Sequence, residues 1–312
     1  MSFDKPILGA DGLRLGYGCA GAWAKPWFSE REAERLVATA IESCIVHFDT
    51  GASYANGEAE RRLGSALAAL GQPEVFISTK TGTRYDRFGR PAKDFSEISI
   101  RADVEGSLRR LGRERLDLLY LHGPGIDQFD QASGILARLK EEGKIAMAGS
   151  CSVGAELEYV VRNGAVDAVM ATYNLFCRDY APSFAEAKRR GISVVAIAPL
   201  GQALYRRDLF APKRLADLWH LARALKNNRV LGAAIKARRI LENIDGWTPA
   251  EAALSFTLAN PDIDLAVMAS TRPDHIASNA AAARRVLPPS ALAKLKEVEQ
   301  TRAKRAARKN LK

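Results

Sequence analysis

Cysteine is scarce and scattered in this 312-residue sequence: Cys19, Cys44, Cys151 and Cys177 stand far apart and form no CxxC or CxxH pair. That spacing excludes a disulfide framework and a zinc knuckle, and suits the reduced, mostly buried thiols of a cytoplasmic protein. No window approaches the run of about eighteen apolar residues that a membrane span needs. The opening Met-Ser-Phe-Asp-Lys-Pro has no basic segment followed by an apolar one, so no export leader is expected. A Pro/Ser-rich linker is also missing, and one domain over 1–312 is expected because an α/β barrel takes about 250 residues or somewhat more. The last twelve residues contain no acid, while Arg302, Lys304, Arg305, Arg308, Lys309 and Lys312 hold six of the ten excess positive charges. Aromatic side chains are absent there too, so this tail offers no stacking platform for a nucleic acid and reads as a solvated helix end. Away from it the chain is only mildly basic, and 47% hydrophobic with 26% charged residues is ordinary globular composition.

What the chain does have is alternation. The apolar runs Leu13 to Cys19, Ile45 to Asp49, Val75 to Lys80, Leu116 to His122, Lys144 to Cys151, Ala165 to Asn174, Ile192 to Pro199 and Asp264 to Ser270 have the character of strands. Between them lie stretches of helical period: Glu30 to Ser43, Glu58 to Leu70, Ile98 to Gly112, Ala132 to Glu142, Ala155 to Asn163, Ser183 to Arg190, Pro249 to Ala259 and Pro273 to Ala283. Near-continuous apolar strands suit a parallel sheet covered on both faces, and strand-helix alternation gives parallel βαβ units. The eight units predict an α/β fold, a (β/α)8 TIM barrel. Two segments lie outside that plan. Phe3 to Gly12 is expected as a short N-terminal hairpin plugging the barrel bottom. Gln202 to Asp245, with a helical run from Leu215 to Lys226, is expected to hold an extra helix, and a further C-terminal helix is expected from Ser290.

Side chains at the C-terminal ends of parallel barrel strands share one rim, however remote they are in sequence. Three ionisable residues end consecutive strands: Asp49 the second, Lys80 the third and His122 the fourth. Tyr54 follows Asp49 in the loop before the helix at Glu58. A phenol titrates near ~10 and is a useful proton donor or acceptor at neutral pH only if a nearby cation stabilises its ionised form. Lys80 would supply that cation and lower the Tyr54 pKa, with Asp49 keeping the lysine charged and oriented. His122 would hydrogen-bond a substrate oxygen or share a proton with the phenol. A lysine closing the run Val-Phe-Ile-Ser-Thr is costly to bury unless paired. No metal is needed.

These residues resemble the aldo-keto reductase family, and the resemblance covers nearly the whole chain. The run from His47 to Gly64 is similar to the family's FDTA-x-x-Y-GxGxSE-xx-LG signature. Ser78-Thr79-Lys80, the run Leu116 to His122, Ala198 to Gly201 and Arg272 to Asn279 match later family blocks in the same order. The resemblance implies a (β/α)8 barrel with NADP(H) extended across the strand C-termini. It also implies Tyr54 as general acid, tuned by Lys80 and Asp49, with His122 orienting an aldehyde or ketone. On the nicotinamide side the sequence departs from the family. Ser150-Cys151 stands for the usual Ser-Asn, Met170 for a glutamine and Ile197 for the stacking aromatic, with Tyr173 the candidate to take the aromatic's place. Pro199, Leu200 and Gly201 fit the pyrophosphate loop. Ser270, Arg272, His275 and Asn279 match the positions that hold the adenosine 2′-phosphate and adenine, although Ala269 replaces a frequent lysine.

Substrate choice is expected to lie in the loops, at Trp23 and Trp27, at Arg84, Tyr85, Arg87 and Phe88, at Phe176, Arg178 and Tyr180, and at Tyr205. Aromatic faces beside arginines suit a sugar-like or ring-bearing carbonyl compound, and a plain solvated loop over Arg84 to Lys93 is the competing reading. The partner expected is thus a small-molecule carbonyl substrate, with neither nucleic acid nor membrane, on a monomer or homodimer. Two other functions remain compatible with the same residues: a nicotinamide-cofactor-sensing or partner-binding protein, and redox-neutral elimination or epimerisation with a retained cofactor.

Overall fold

Eight parallel strands close on themselves in the order β1, β2, β3, β6, β7, β8, β9, β10 and back to β1. They are β1 (Leu15–Gly18), β2 (His47–Asp49), β3 (Phe76–Thr81), β6 (Leu116–His122), β7 (Ile145–Cys151), β8 (Ala168–Thr172), β9 (Ser193–Ile197) and β10 (Leu265–Met268). The computed structural model describes residues 7, 12–85, 90–201 and 231–298. Each expected strand is present: Leu116–His122 has the expected bounds, Phe76–Thr81 runs one residue past Lys80, and the others are shorter at one or both ends. The tail 301–312, most of the Phe3 to Gly12 segment and the run Leu215 to Lys226 lie outside the described residues. Ile7 is described, and it is fully buried inside the barrel with Leu118, Tyr120, Ala168, Met170, Val195, Leu265 and Val267. The expected terminal helix spans 289–298. No helix among the described residues is long and apolar enough to cross a membrane.

The helices begin where the sequence supplies caps. Ser29 and Glu32 form a capping box at α1 (Glu30–Glu42), and Thr248 and Glu251 form another before the helix Pro249–Leu258. Helix α2 (Glu58–Ala69) follows Gly57 in the left-handed region, and α3 (Glu97–Leu111) ends on left-handed Gly112. α4 (Ile126–Glu141) starts six residues before the expected Ala132, because Gln128 caps the Gly125 amide and only Phe129 in that first turn faces the core. α5 (Gly154–Asn163), α6 (Ala181–Arg189) and the helices Leu231–Leu241 and Pro273–Ala282 complete the described shell. The segment read as a possible solvated loop carries instead an antiparallel pair, β4 (Thr83–Tyr85) and β5 (Pro91–Lys93), an excursion between β3 and α3.

Strand alternation divides the core into two layers. Leu119, Leu121, Val169, Ala171, Val194 and Ala196 face the helices, whereas Leu118, Tyr120, Met170 and Val195 face the barrel interior. Gly149 on β7 leaves room for the Tyr120 ring, since a Cβ there would lie 2.5 Å from it. Outside the barrel, α2 and α3 meet backbone to backbone at Gly64, where a Cβ would stand 2.1 Å from the Arg110 carbonyl oxygen. Gly64→Ala is expected to separate the two helices and lower stability by roughly 1–3 kcal/mol or more. A urea midpoint equal to that of the unaltered protein would contradict this packing.

Candidate active site

Asp49, Lys80 and His122 have the same strand parity, which turns all three into the barrel at its C-terminal rim. The register supports this: Asp49 pairs with Ser78, Lys80 with Tyr120, and His122 with Cys151. Lys80 Nζ donates to Asp49 Oδ2 and to the Thr50 carbonyl, both at 2.6 Å. The two side chains are only 3% and 6% exposed. Burial works against the ammonium, but the Asp49 carboxylate and the Tyr54 phenol outweigh it, so Lys80 sits above the ordinary lysine range. Its Nζ lies 5.1 Å from the centroid of the Tyr54 ring, and the Tyr54 and His122 rings meet edge to face at 6.2 Å.

The expected fall in the Tyr54 pKa is not what this arrangement produces. Burial raises the phenol, Lys80 opposes it, and burial prevails. At neutral pH Tyr54 therefore carries its proton. Burial, with Lys80 and Lys93 adding to it, pushes His122 down to about 4, so its ring is neutral at the same pH. The Nδ1 of His122 is buried without a hydrogen-bond partner among the described residues. Lys93, which the sequence reading passed over, comes in from β5 to donate to Thr83 Oγ1 at 2.8 Å and to the His122 carbonyl. Nothing in the sequence marked it, because its approach depends on the β4–β5 pairing.

Beneath Asp49 lies a second polar chain. Ser78 Oγ donates to Asp49 Oδ1 at 2.9 Å, and His47 stands 3.0 Å from both Ser78 Oγ and the Ile7 carbonyl. Burial pushes His47 to about 4. A neutral ring must then donate from Nδ1 to Ile7, which leaves Nε2 and the Asp49 carboxylate competing for the single Ser78 hydroxyl proton.

The rim opposite the ionisable set is apolar. Cys151, Met170 and Ile197 all pack with the interior layer, and burial raises the Cys151 thiol to about 11, leaving it uncharged. Ser150 does not join them. It has the opposite parity, is fully buried with the layer facing the helices, and hydrogen-bonds Ser152 Oγ at 2.7 Å. Tyr173 is directed outward as well, with its ring 5.9 Å from Phe184 of α6, so it does not replace a stacking aromatic at Ile197. After β9 the chain turns through two left-handed residues, Ala198 and Gly201, pinned by Asn174 Nδ2 to the Ala198 carbonyl at 3.0 Å and by Thr257 Oγ1 to the Pro199 carbonyl at 3.2 Å. Leu200 lies between them. Ser270 and Arg272 follow β10; Arg272 is exposed and pairs with Asp274, His275 is exposed, and Asn279 is buried against Met268.

Several expected substrate contacts are structural. Trp23 is 1% exposed, bonds Tyr17 through its indole and packs on Phe28. Arg178 lies over the Phe256 ring and donates to the Leu175 and Leu295 carbonyls, Phe176 is buried, and partly buried Tyr180 packs against the core. Trp27 and Tyr85 are exposed, at 68% and 48%, and Arg84 binds Ser99 and Asp103. Arg87, Phe88 and Tyr205 lie outside the described residues.

The model of the aldo/keto reductase family matches residues 14–300. The chain belongs to that family. Among curated aldo/keto reductases and their kin, it is 29% identical to D-threo-aldose 1-dehydrogenase of a Pseudomonas species, over 95% of this chain and 98% of the relative. It is 25% identical to NADH-specific methylglyoxal reductase of Escherichia coli, over 88% and 92%. Among solved structures, an aldo-keto reductase of Bacillus halodurans in its holo form superposes with a TM-score of 0.75 at 24% identity, each chain covered to 91%.

Two histidines of this aldo/keto reductase fold uncharged, which sets a pH dependence. His47 and His122 drop from an ordinary 6.5 to about 4, so between those values the unfolded chain binds more protons and stability rises with pH. Going from pH 7.5 to pH 5 should therefore cost roughly 2 kcal/mol per histidine. Urea unfolding at the two pH values checks this. His122→Asn should remove about half of the histidine part, and a pH profile identical to the unaltered protein's would contradict a neutral buried His122.

Proposed function

We propose that this protein is an NADP(H)-dependent carbonyl reductase in which Tyr54 delivers the proton. The observation that carries the reading is the Lys80 ammonium, locked between Asp49 and the Thr50 carbonyl at 2.6 Å with its charge against the Tyr54 ring. A phenol that is protonated at neutral pH can donate, and the fixed cation beside it stabilises the phenolate left behind. Lys80 thus acts on the transition state, where negative charge appears, more than on the resting phenol. His122, neutral and edge-on to Tyr54, is suited to hold the carbonyl oxygen by a hydrogen bond. Asp49 keeps Lys80 charged and in place.

The opposite rim fits a nicotinamide cofactor. Cys151, Met170 and Ile197 form an uncharged interior wall that a flat ring can cover, and the left-handed turn from Ala198 to Gly201, with partly buried Leu200 in it, is the segment proposed to meet a pyrophosphate. When bound, the cofactor supplies the hydride. Ser270, Arg272, His275 and Asn279 are the residues proposed for its adenosine end. The Arg272 fork, released from Asp274, suits a 2′-phosphate. One relative is named for NADH specificity, which makes this choice the point to test. Named relatives acting on methylglyoxal and an aldose suggest a small or sugar-like aldehyde or ketone, with Trp27 and Tyr85 the exposed aromatics available to meet it.

Tyr54→Phe is expected to lower turnover of an aldehyde by about 10²- to 10⁴-fold while cofactor affinity, read by fluorescence titration, stays nearly constant. Turnover close to that of the unaltered protein would end the assignment of Tyr54 as acid. Arg272→Ala should weaken NADPH by about tenfold and leave NADH as it was. Equal effects on both cofactors would remove Arg272 from phosphate recognition.

A further inference from the structure

A cavity of about 300 Å³ opens between the Tyr54 loop, β4 and α3, and neither Tyr54, Lys80 nor His122 lines it. Its volume is at the lower end for small-ligand sites. Its wall is strongly polar. Arg84, Arg109 and Arg110 reach it together with Ser53, Asn56 and Asp103.

Two of the arginines are held in place by carboxylates. Arg110 donates through Nε to Glu60 Oε2 at 2.7 Å, and Glu60 is itself fully buried, taking further hydrogen bonds from Thr79 and Ser107. Arg84 binds Asp103 Oδ1 at 3.0 Å and the Ser99 hydroxyl at 2.6 Å. Those pairs balance their charges and fix both guanidiniums, while the Nη1 atoms of Arg84 and Arg110 make no hydrogen bond among the described residues. Arg84 also lies 3.9 Å from Asp94, whereas Arg109, which is exposed, has no carboxylate partner among the described residues. An independent sign of a ligand is Ser53. The residue is 94% buried (6% exposed), it lines the cavity, and its hydroxyl has no hydrogen-bond partner among the described residues. An orphaned buried hydroxyl beside fixed guanidinium forks is the donor set of an oxyanion site.

We propose that this cavity binds the phosphate group of a small metabolite, and that its occupation fixes the loop carrying Tyr54. Ala52, Ser53 and Asn56 flank Tyr54 on both sides, and Ala55, Asn56 and Gly57 are all left-handed, so this loop is strained where the cavity touches it. An anion bound by Ser53 and Arg109 ties the loop to α3. The binding claim stands by itself; only its consequence for catalysis rests on Tyr54 being the proton donor.

Calorimetric titration of the full chain with inorganic phosphate, then with glycerol phosphate, tests this. Arg272→Ala serves as a control for phosphate captured at the proposed adenosine end. Binding should persist in Arg272→Ala and weaken at least about tenfold in both Arg109→Ala and Ser53→Ala. Amide exchange over 52–57 should slow on adding phosphate to the unaltered protein and not to Arg109→Ala. The proposal is overturned by no binding at about 10 mM phosphate, by binding lost in Arg272→Ala, or by binding unchanged in Arg109→Ala and Ser53→Ala. Unchanged exchange despite binding would overturn the link to the loop. Because these readouts need no turnover, they separate this site from the catalytic reading.

Discussion

The buried ion pair of Lys80 and Asp49 is the constraint that orders everything around it. Taking two charges out of water costs several kcal/mol per ion even after relaxation, and their attraction offsets this only when the remaining hydrogen-bonding positions are filled. Here they are filled from the backbone of Thr50 on one side and the Ser78 hydroxyl on the other. The β2–β3 wall therefore has to be polar to the depth of His47. The facing wall, from β7 to β9, carries no such burden and is built of Cys151, Met170 and Ile197. One rim thus has a charged half and an apolar half, which is the asymmetry needed to hold a reacting oxygen against one and a flat ring against the other.

Burial acts on all three titratable neighbours in the same direction, toward the neutral form. It raises Tyr54, lowers His122 and raises Cys151. Lys80 and Asp49 instead keep their charges as an ion pair 2.6 Å long. The site thus holds a fixed cation beside the uncharged Tyr54, His122 and Cys151. Negative charge developing on an oxygen there meets a preorganised field at little reorganisation cost. A phenol with a lowered resting pKa would lose part of its proton before the reaction. The raised one keeps it, and the same cation still favours its release.

The sequence revealed these strand ends because each mainly apolar run reaches an ionisable residue at its C-terminal end, a pattern that survives without knowledge of packing. Asp49, Lys80 and His122 were legible for that reason. What it concealed was parity at the ragged ends. Ser150 and Cys151 are neighbours with opposite fates, one under the helices and one in the mouth, and a register error of one residue exchanges them. Tyr173, Trp23 and Arg178 were misread through their chemistry: aromatic rings and guanidiniums near loops suggested ligands, yet their surroundings are Phe184, Tyr17 and Phe256. The β4–β5 excursion, and with it Lys93 beside His122, depends on a pairing of two three-residue strands too short to carry a periodic signal.

The position of Tyr54 depends on residues that never approach the rim. Its loop passes through Ala55 and Asn56 in the left-handed region, which costs of order 1 kcal/mol or more for each side-chain-bearing residue and persists only where the surroundings leave no alternative. Those surroundings are the start of α2 and the Arg110 guanidinium. The Glu58 and Ala59 amides close the turn onto Ala55 and Tyr54, and a Cβ on Gly57 would lie 2.4 Å from Arg110 Nε. Gly57 is therefore required twice, for its backbone angle and for its emptiness. Arg110 is held by Glu60, Glu60 by Thr79 of β3, and Lys80 is the next residue along that strand. The outward-facing side chain of Thr79 and the inward-facing one of Lys80 thus tie the same strand to both ends of the Tyr54 loop. A phenol on a loop gains the placement of a side chain on a sheet, because the strand supplying its cation also anchors the arginine that shapes the turn.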